Sequence, residues 1–397
     1  MGDQRIVYLD GLRGLLAIVV FIHHFLYTFC PSVIFGGGYE EFLSSQWSIE
    51  RMFALTPLNL LFNPGFAINF FFLLSGYVQT VHYFRKPDLY FVQRSFIKRY
   101  FRLALPTLAV TLIVFAFHRL QFIHKDHFPP NALTYDWIQS MMPDSLNFFQ
   151  TVWYGLVECF SSKTQNYQVL WTMPVELYNS WMVLILLMVT HHLKNKLSLF
   201  VFWLFIQLFF LQSYYGMSFT LGLLLAYFNT NTPSFGRFFS GKFIKLICLL
   251  IGIYFASYPF IGYQNSARQS IYNPISFFDA YPHVISYVFG NLLLFCVVLH
   301  SKTIQIILSK RVLKFFGDIS FMFYLVHFLL LFSFSPWLFF TLFPSLHNSF
   351  ANYLITGIST FVLITFVSFL LYKLVDLPVV KSCNSYIKKL FKPLSVQ

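Results

Sequence analysis

The stretch YLDGLRGLLAIVVFIHHFLY, Tyr8 to Tyr27, decides how the rest of the chain is read. It has about the twenty residues a helix needs to cross the hydrocarbon of a bilayer, yet it carries Asp10, Arg13, His23 and His24. An ionisable side chain in hydrocarbon is costly unless it faces a partner or a polar cavity, so four in one span ask for a reason. His24 follows Arg13 by eleven residues. That is three helical turns plus roughly 20°, which puts both on one face about 16 Å apart along the axis. His23 lies about 280° from Arg13 and points elsewhere. The reading therefore takes His24, not His23, as the candidate reacting group. Asp10 is a further candidate on the same helix.

Working outward, apolar residues make up 57% of the chain and charged ones 10%, and Phe alone contributes 54, a balance that describes an all-α polytopic membrane protein. No hydrophilic stretch is long enough for an appended soluble domain of ordinary size. The first apolar run opens with acidic and basic residues and lacks a small-residue cleavage site, so it is expected to stay as an anchor. Cys30, Cys159, Cys248, Cys296 and Cys383 show no CxxC or Cys/His spacing, so no metal site is expected. Cys30 and Cys159 are open to a disulfide on the oxidising side, with unpaired packing as the default.

Ten spans are expected, at about 7–29, 66–84, 96–117, 168–190, 197–212, 214–228, 243–258, 283–300, 312–335 and 351–373. Phe148 to Phe160 is apolar but short, which fits a re-entrant or interfacial helix. The net charge of +13 does not imply a nucleic-acid partner, because 21 of the 27 Lys and Arg fall on one side of this topology, at span ends and in short loops. Only Arg51, Arg119, Lys125, Lys163 and Arg268 fall on the other side, and the asymmetry makes both termini cytosolic. Arg13 then lies low in its span and His24 high. No internal repeat supports an inverted-repeat transporter. The outer loops carry Trp47, Trp137 and Trp153, which suit either sugar stacking or interfacial anchoring.

Other spans carry polar stripes. In FIKRYFRLALP, Arg99 and Arg102 share a helical face at the cytosolic end of the third span, where arginine forks suit a phosphorylated donor or a lipid headgroup. The fourth span opens QVLWTMPVELYNSW, placing Thr172, Glu176, Asn179 and Ser180 on one stripe, Glu176 about two turns in from the outer face and Pro174 as an expected kink. A carboxylate there must be protonated or paired. Ser320, Tyr324 and His327 form a stripe in the ninth span, and Ser75, Gln79 and His82 a weaker one in the second. His327 is either a second functional imidazole or a core histidine satisfied by a neighbour. The Ser75-Gly76 pair also suits close helix packing.

Six motifs in order, YLDGLRG with Arg-x10-His, FFFLLSGY, KRYFRLALP, LWTMPVE, GDISFMFYLVH and DLP at Asp376 to Pro378, resemble the acyltransferase-3 family of integral membrane O-acyltransferases, particularly its fungal-type members. The resemblance runs over essentially the whole chain, taken as residues 1–380, with 381–397 as a basic cytosolic tail. It implies transfer of an acyl group, usually acetyl from cytosolic acetyl-CoA, to a hydroxyl on a carbohydrate, lipid or metabolite, with Arg13 and His24 as the essential pair. It leaves no room for the fused extracytoplasmic hydrolase-like domain of some relatives, and Asp376 stands where the family usually has Glu.

On this resemblance Arg13, Arg99 and Arg102 are expected to hold the donor's phosphates, and the pantetheine arm to run up beside the first helix. His24 is then general base or acyl carrier, with Glu176 orienting it. Asp10, Ser75, Tyr324 and His327 are the remaining candidates. The alternative is a polytopic transporter or acyl-group carrier without chemistry of its own, since intramembrane Arg, His and Glu also mark substrate pathways. The expected location is a multi-pass site in an endomembrane or the plasma membrane.

Overall fold

The computed structural model describes residues 6–35, 49–128, 134–142, 147–161, 167–259, 270–279, 284–342 and 350–390. Trp47 and the basic residues Arg5, Lys163, Arg268 and Lys392 lie outside the described residues. All regular structure among those described is helical. The principal helices are α1 (Val7–Phe29), α2 (Pro64–Arg85), α3 (Leu89–Arg119), α4 (Phe148–Leu156), α5 (Thr172–Val189), α6 (Lys196–Ile206), α7 (Tyr214–Asn231), α8 (Lys242–Ala256), α9 (Val284–His300), α10 (Lys302–Leu308), α11 (Arg311–Leu331), α12 (Phe350–Leu371) and α13 (Leu377–Leu390). A helix lies on each of the ten stretches named above. Five of the helical runs are long and apolar enough to cross a membrane, and seven are if the bent pairs Pro233–Ser240 with α8 and α9 with α10 each count as one span.

Three of the ten, α2, α6 and α7, are absent from that set of seven: α6 is apolar but too short, and α2 and α7 are missing for another physical reason. Their polar residues Asn69, Ser75, Thr80, Ser218 and Thr220 are buried against protein, so these helices need no uniformly apolar surface.

The chain divides into two compact units, Met1–Val92 with Asn179–Gly317, and Gln93–Tyr178 with Asp318–Gln397. In the first, α2 and α7 cross with their backbones in contact. A side-chain carbon on Gly76 would run into the Phe219 carbonyl, and one on Gly222 into the Leu73 carbonyl. Small residues at such crossings let helices gain dispersion contacts where no hydrophobic effect drives them together. The same device seats α1. Gly11 lies on the Leu308 carbonyl, and Gly14 leaves only 2.6 Å between a would-be Cβ and the Gly317 nitrogen. Glycines of two sequence motifs, YLDGLRG and GDIS, therefore meet. We expect Gly14→Ala to force these backbones apart and cost about 1–3 kcal/mol, read as a lower unfolding temperature in detergent; an unchanged temperature would show that the contact has slack.

At the other end of this unit, Asn59 donates its amide to Ser257 O at 2.5 Å, and Asn63 to Tyr258 O at 2.9 Å. Tyr287 donates to Tyr258 O at 3.0 Å, and Asn291 to Phe66 O at 2.9 Å. These bonds fix the turn at residues 57–63 to the ends of α8 and α9, which matters below because that turn holds a histidine of α1.

In the second unit, the short segment at 148–160 runs back alongside α3. The Phe148 ring meets Phe115, Gly155 lies on Leu108 and Thr111, and Tyr100 donates to Leu156 O at 2.7 Å. From Phe115 to Tyr100 is about 22 Å along α3 at 1.5 Å per residue. The Tyr167 hydroxyl donates to Leu325 O at 2.9 Å and accepts from Leu329 N at 3.1 Å. Pro174 falls in the first turn of α5, where its missing N–H removes no intrahelical bond; it opens the helix instead of kinking it. Residues 377–390 form one helix across position 380.

Candidate functional site

On α1, Asp10 is 7% exposed, and Arg13 Nη1 stands 3.8 Å from its Oδ1, one turn away. The pairing leaves the Arg13 side chain 26% exposed. Higher on the same helix the two histidines part. His23 is buried, with Nδ1 3.1 Å from the Phe62 carbonyl and its ring stacked on Tyr27 at 5.5 Å. His24 is half-buried and meets His23 edge-on at 5.1 Å. Its backbone carbonyl accepts the Thr28 hydroxyl at 2.7 Å.

In the second unit, Arg99 Nη2 donates to Glu176 Oε1 with both side chains largely enclosed, 14% and 15% exposed. This settles where the Glu176 charge goes. It also corrects the depths expected from sequence, which set Arg99 at the cytosolic end of its span and Glu176 near the outer face. Side chains in contact share one depth, and residues 148–160 run beside the same stretch of α3. One turn along α3, Arg102 is exposed and its charge acts on Asp376 of the DLP motif, which is 8% exposed.

The α11 stripe is engaged in holding the chain before α5. Tyr324 donates to Val169 O at 2.9 Å and accepts from Thr172 Oγ1 at 3.0 Å. His327, 1% exposed, places Nδ1 2.5 Å from Tyr324 O and packs on Phe328. We expect Tyr324→Phe, which deletes both hydroxyl bonds, to destabilise the protein by about 1–3 kcal/mol, read by thermal unfolding; no change would mean that water or another donor takes over.

The remaining stripe residues sit in the first unit. Gln79 donates to Ser180 Oγ at 3.0 Å, Asn179 borders Gly216 beside Gln207, and Thr220 donates to Gln207 Oε1 at 2.7 Å. Ser75 is 9% exposed next to the Gly76 crossing. Trp137 packs on Phe328 and Phe332, while Trp153 is 60% exposed. All five cysteines are free. No cluster of three or more potential metal ligands occurs among the described residues.

The family model of the acyltransferase domain matches residues 6–373, which hold every motif named above except DLP at Asp376 to Pro378. The chain belongs to the acyltransferase-3 family. No curated protein and no solved structure matches it. The acyltransferase-3 match runs from the start of α1 through the end of α12, and with the long apolar helices it makes this a multi-pass membrane protein of an acyltransferase family. Two features of this acyltransferase-3 chain were not read from sequence. The tie of His23 to Phe62 had no sequence signal, since the acceptor is a backbone carbonyl. The Arg99–Glu176 pair did have one: two ionisable groups in apolar helices each require a partner.

Proposed function

We propose that this acyltransferase-3 protein moves an acyl group, with acetyl as the first candidate, from cytosolic acyl-CoA to a hydroxyl of a carbohydrate, lipid or metabolite. The observation that carries the reading is the family match over residues 6–373. In the proposed step the acceptor oxygen attacks the thioester carbonyl. The new C–O bond forms, the C–S bond breaks, and the hydroxyl proton passes to a ring nitrogen of His24 and from there to the departing thiolate. His24 suits this role because it is the α1 imidazole left half-buried, whereas His23 is enclosed.

Arg13 is assigned to the donor's phosphates. Its side chain stays 26% exposed beside Asp10, and a guanidinium fork matches phosphate oxygens. Arg102, exposed, is assigned phosphate recognition as well. Arg99 is held by Glu176, and Glu176 is accordingly assigned to fixing Arg99. The proposed topology has ten spans with both termini cytosolic, in an endomembrane or the plasma membrane, as the basic residues at span ends favour.

The test of the acceptor class is to compare alkali-labile acyl esters on glycans, lipids and small metabolites of cells with and without the gene. The proposal expects the loss of one ester class and the appearance of its free hydroxyl form. An ester inventory unchanged in amount, with only its distribution across the membrane altered, would favour the transporter or acyl-carrier reading.

A further inference from the structure

His23 is the α1 imidazole that the mechanism above leaves unused, and it is held more firmly than a core histidine requires. A carbonyl oxygen only accepts, so the 3.1 Å contact with Phe62 O puts the proton on Nδ1. The turn that supplies this carbonyl is itself fixed. Phe62 N donates to Asn59 O at 2.9 Å, and Asn59 and Asn63 are bonded to the Ser257 and Tyr258 carbonyls at the end of α8. Phe62 is 5% exposed, so the turn is packed as well as bonded.

Two aromatic rings also meet the His23 ring. Tyr27, one turn on, lies nearly parallel to it at 30°, and His24 meets it at 73°. The hydrogen bond sets which ring edge points to the turn, and the Tyr27 stack sets the plane. A ring fixed in both respects is a wall of fixed position for its neighbour. His24, otherwise half-exposed on a helix face, then has one side against a surface that does not move.

From this geometry we infer that His23 is a positioning residue: tied through Nδ1 to the Phe62 carbonyl, it holds the His24 imidazole in the orientation that takes the acceptor proton. The inference rests on the proposed role of His24. Misplacing a reacting group by about 1 Å costs on the order of a hundredfold in rate, which sets the size of effect to look for.

The experiment compares His23→Ala, His23→Asn and His24→Ala in the full chain, supplied with an extract of its own cells' glycans, lipids and metabolites as acceptor, reading thiol release from acetyl-CoA per folded molecule, with folded protein counted by size-exclusion in detergent. An asparagine amide places an N–H about where Nδ1–H stands, so it keeps the bond to Phe62 O. The expected result is that His23→Ala lowers kcat by about thirtyfold to a hundredfold with KM for acetyl-CoA little changed, and that His23→Asn recovers most of the loss. Wild-type kcat in both His23 variants, or an equal loss in both, overturns the inference while leaving His24 in place if His24→Ala is inactive. Full thiol release by His24→Ala overturns the proposed role of His24, and this inference with it.

Discussion

His24→Ala is expected to reduce acyl transfer by about 10²–10⁴-fold, the range that a positioned general base contributes, while the protein inserts and folds as before. The expectation of normal folding comes from the surroundings. His24 is half-buried, and its backbone, not its ring, accepts the Thr28 hydroxyl. The packing of α1 is carried by Leu9, Leu12, Leu16, Val20 and Phe21, all nearly inaccessible, and by the backbone contacts at Gly11 and Gly14. Removing the imidazole leaves those contacts untouched. The check is the rate of acyl-CoA turnover normalised to folded protein in membranes. A variant with wild-type turnover would remove His24 from the mechanism.

The second large effect is expected at Arg99 and Glu176. Breaking a buried ion pair from one side leaves a charge enclosed without its partner, which typically costs about 3–5 kcal/mol. Glu176→Leu takes this carboxylate from the Arg99 guanidinium, and Arg99→Leu takes this guanidinium from the carboxylate; each is expected to lower the unfolding temperature strongly and to reduce the yield of folded protein. The double substitution to leucine removes both charges, and replacing such a pair by apolar groups is often neutral. It should therefore recover most of the lost stability, and thermal unfolding of the four proteins gives the coupling directly. Additive losses in the double variant would mean that each side chain is satisfied by something other than its partner.

How much of this was legible in sequence varies by element. The first helix runs Val7–Phe29, as the apolar run implies, because the spacing of its apolar residues and its length leave little choice. The third begins earlier than its apolar run does, at Leu89, since the Gln, Lys and Arg of its first turns are good helix formers. The tight join after the fifth expected span was visible at Gln212 and Ser213. Its form was not: a π-helical turn at Gln207–Leu211 ends on Gln212 with φ 47°, a conformation that single-residue propensities do not announce.

The site was legible in kind more than in pairing. Composition and spacing single out Arg13, His24, Arg99 and Glu176 as ionisable groups in apolar helices, but which group neutralises which depends on where the chain goes between them. Arg99 and Glu176 are 77 residues apart in sequence. Between them in sequence, residues 148–160 run back along α3, and a short apolar segment does not reveal how far it runs beside its neighbour. His23 looked misdirected by helical geometry, and it does differ from His24 in surroundings. What the geometry could not supply was its acceptor, a carbonyl in a turn 39 residues away.

The most direct test of the central claim is to give the purified protein, in liposomes and with an extract of its own cells' glycans, lipids and metabolites as acceptor, acetyl-CoA labelled in both its acetyl group and its adenine. Acyl-transfer chemistry predicts that the two labels separate, with the thiol released as CoA, and that His24→Ala keeps them together. Labels that stay joined in the wild-type protein, whether outside or inside the vesicle, would contradict it.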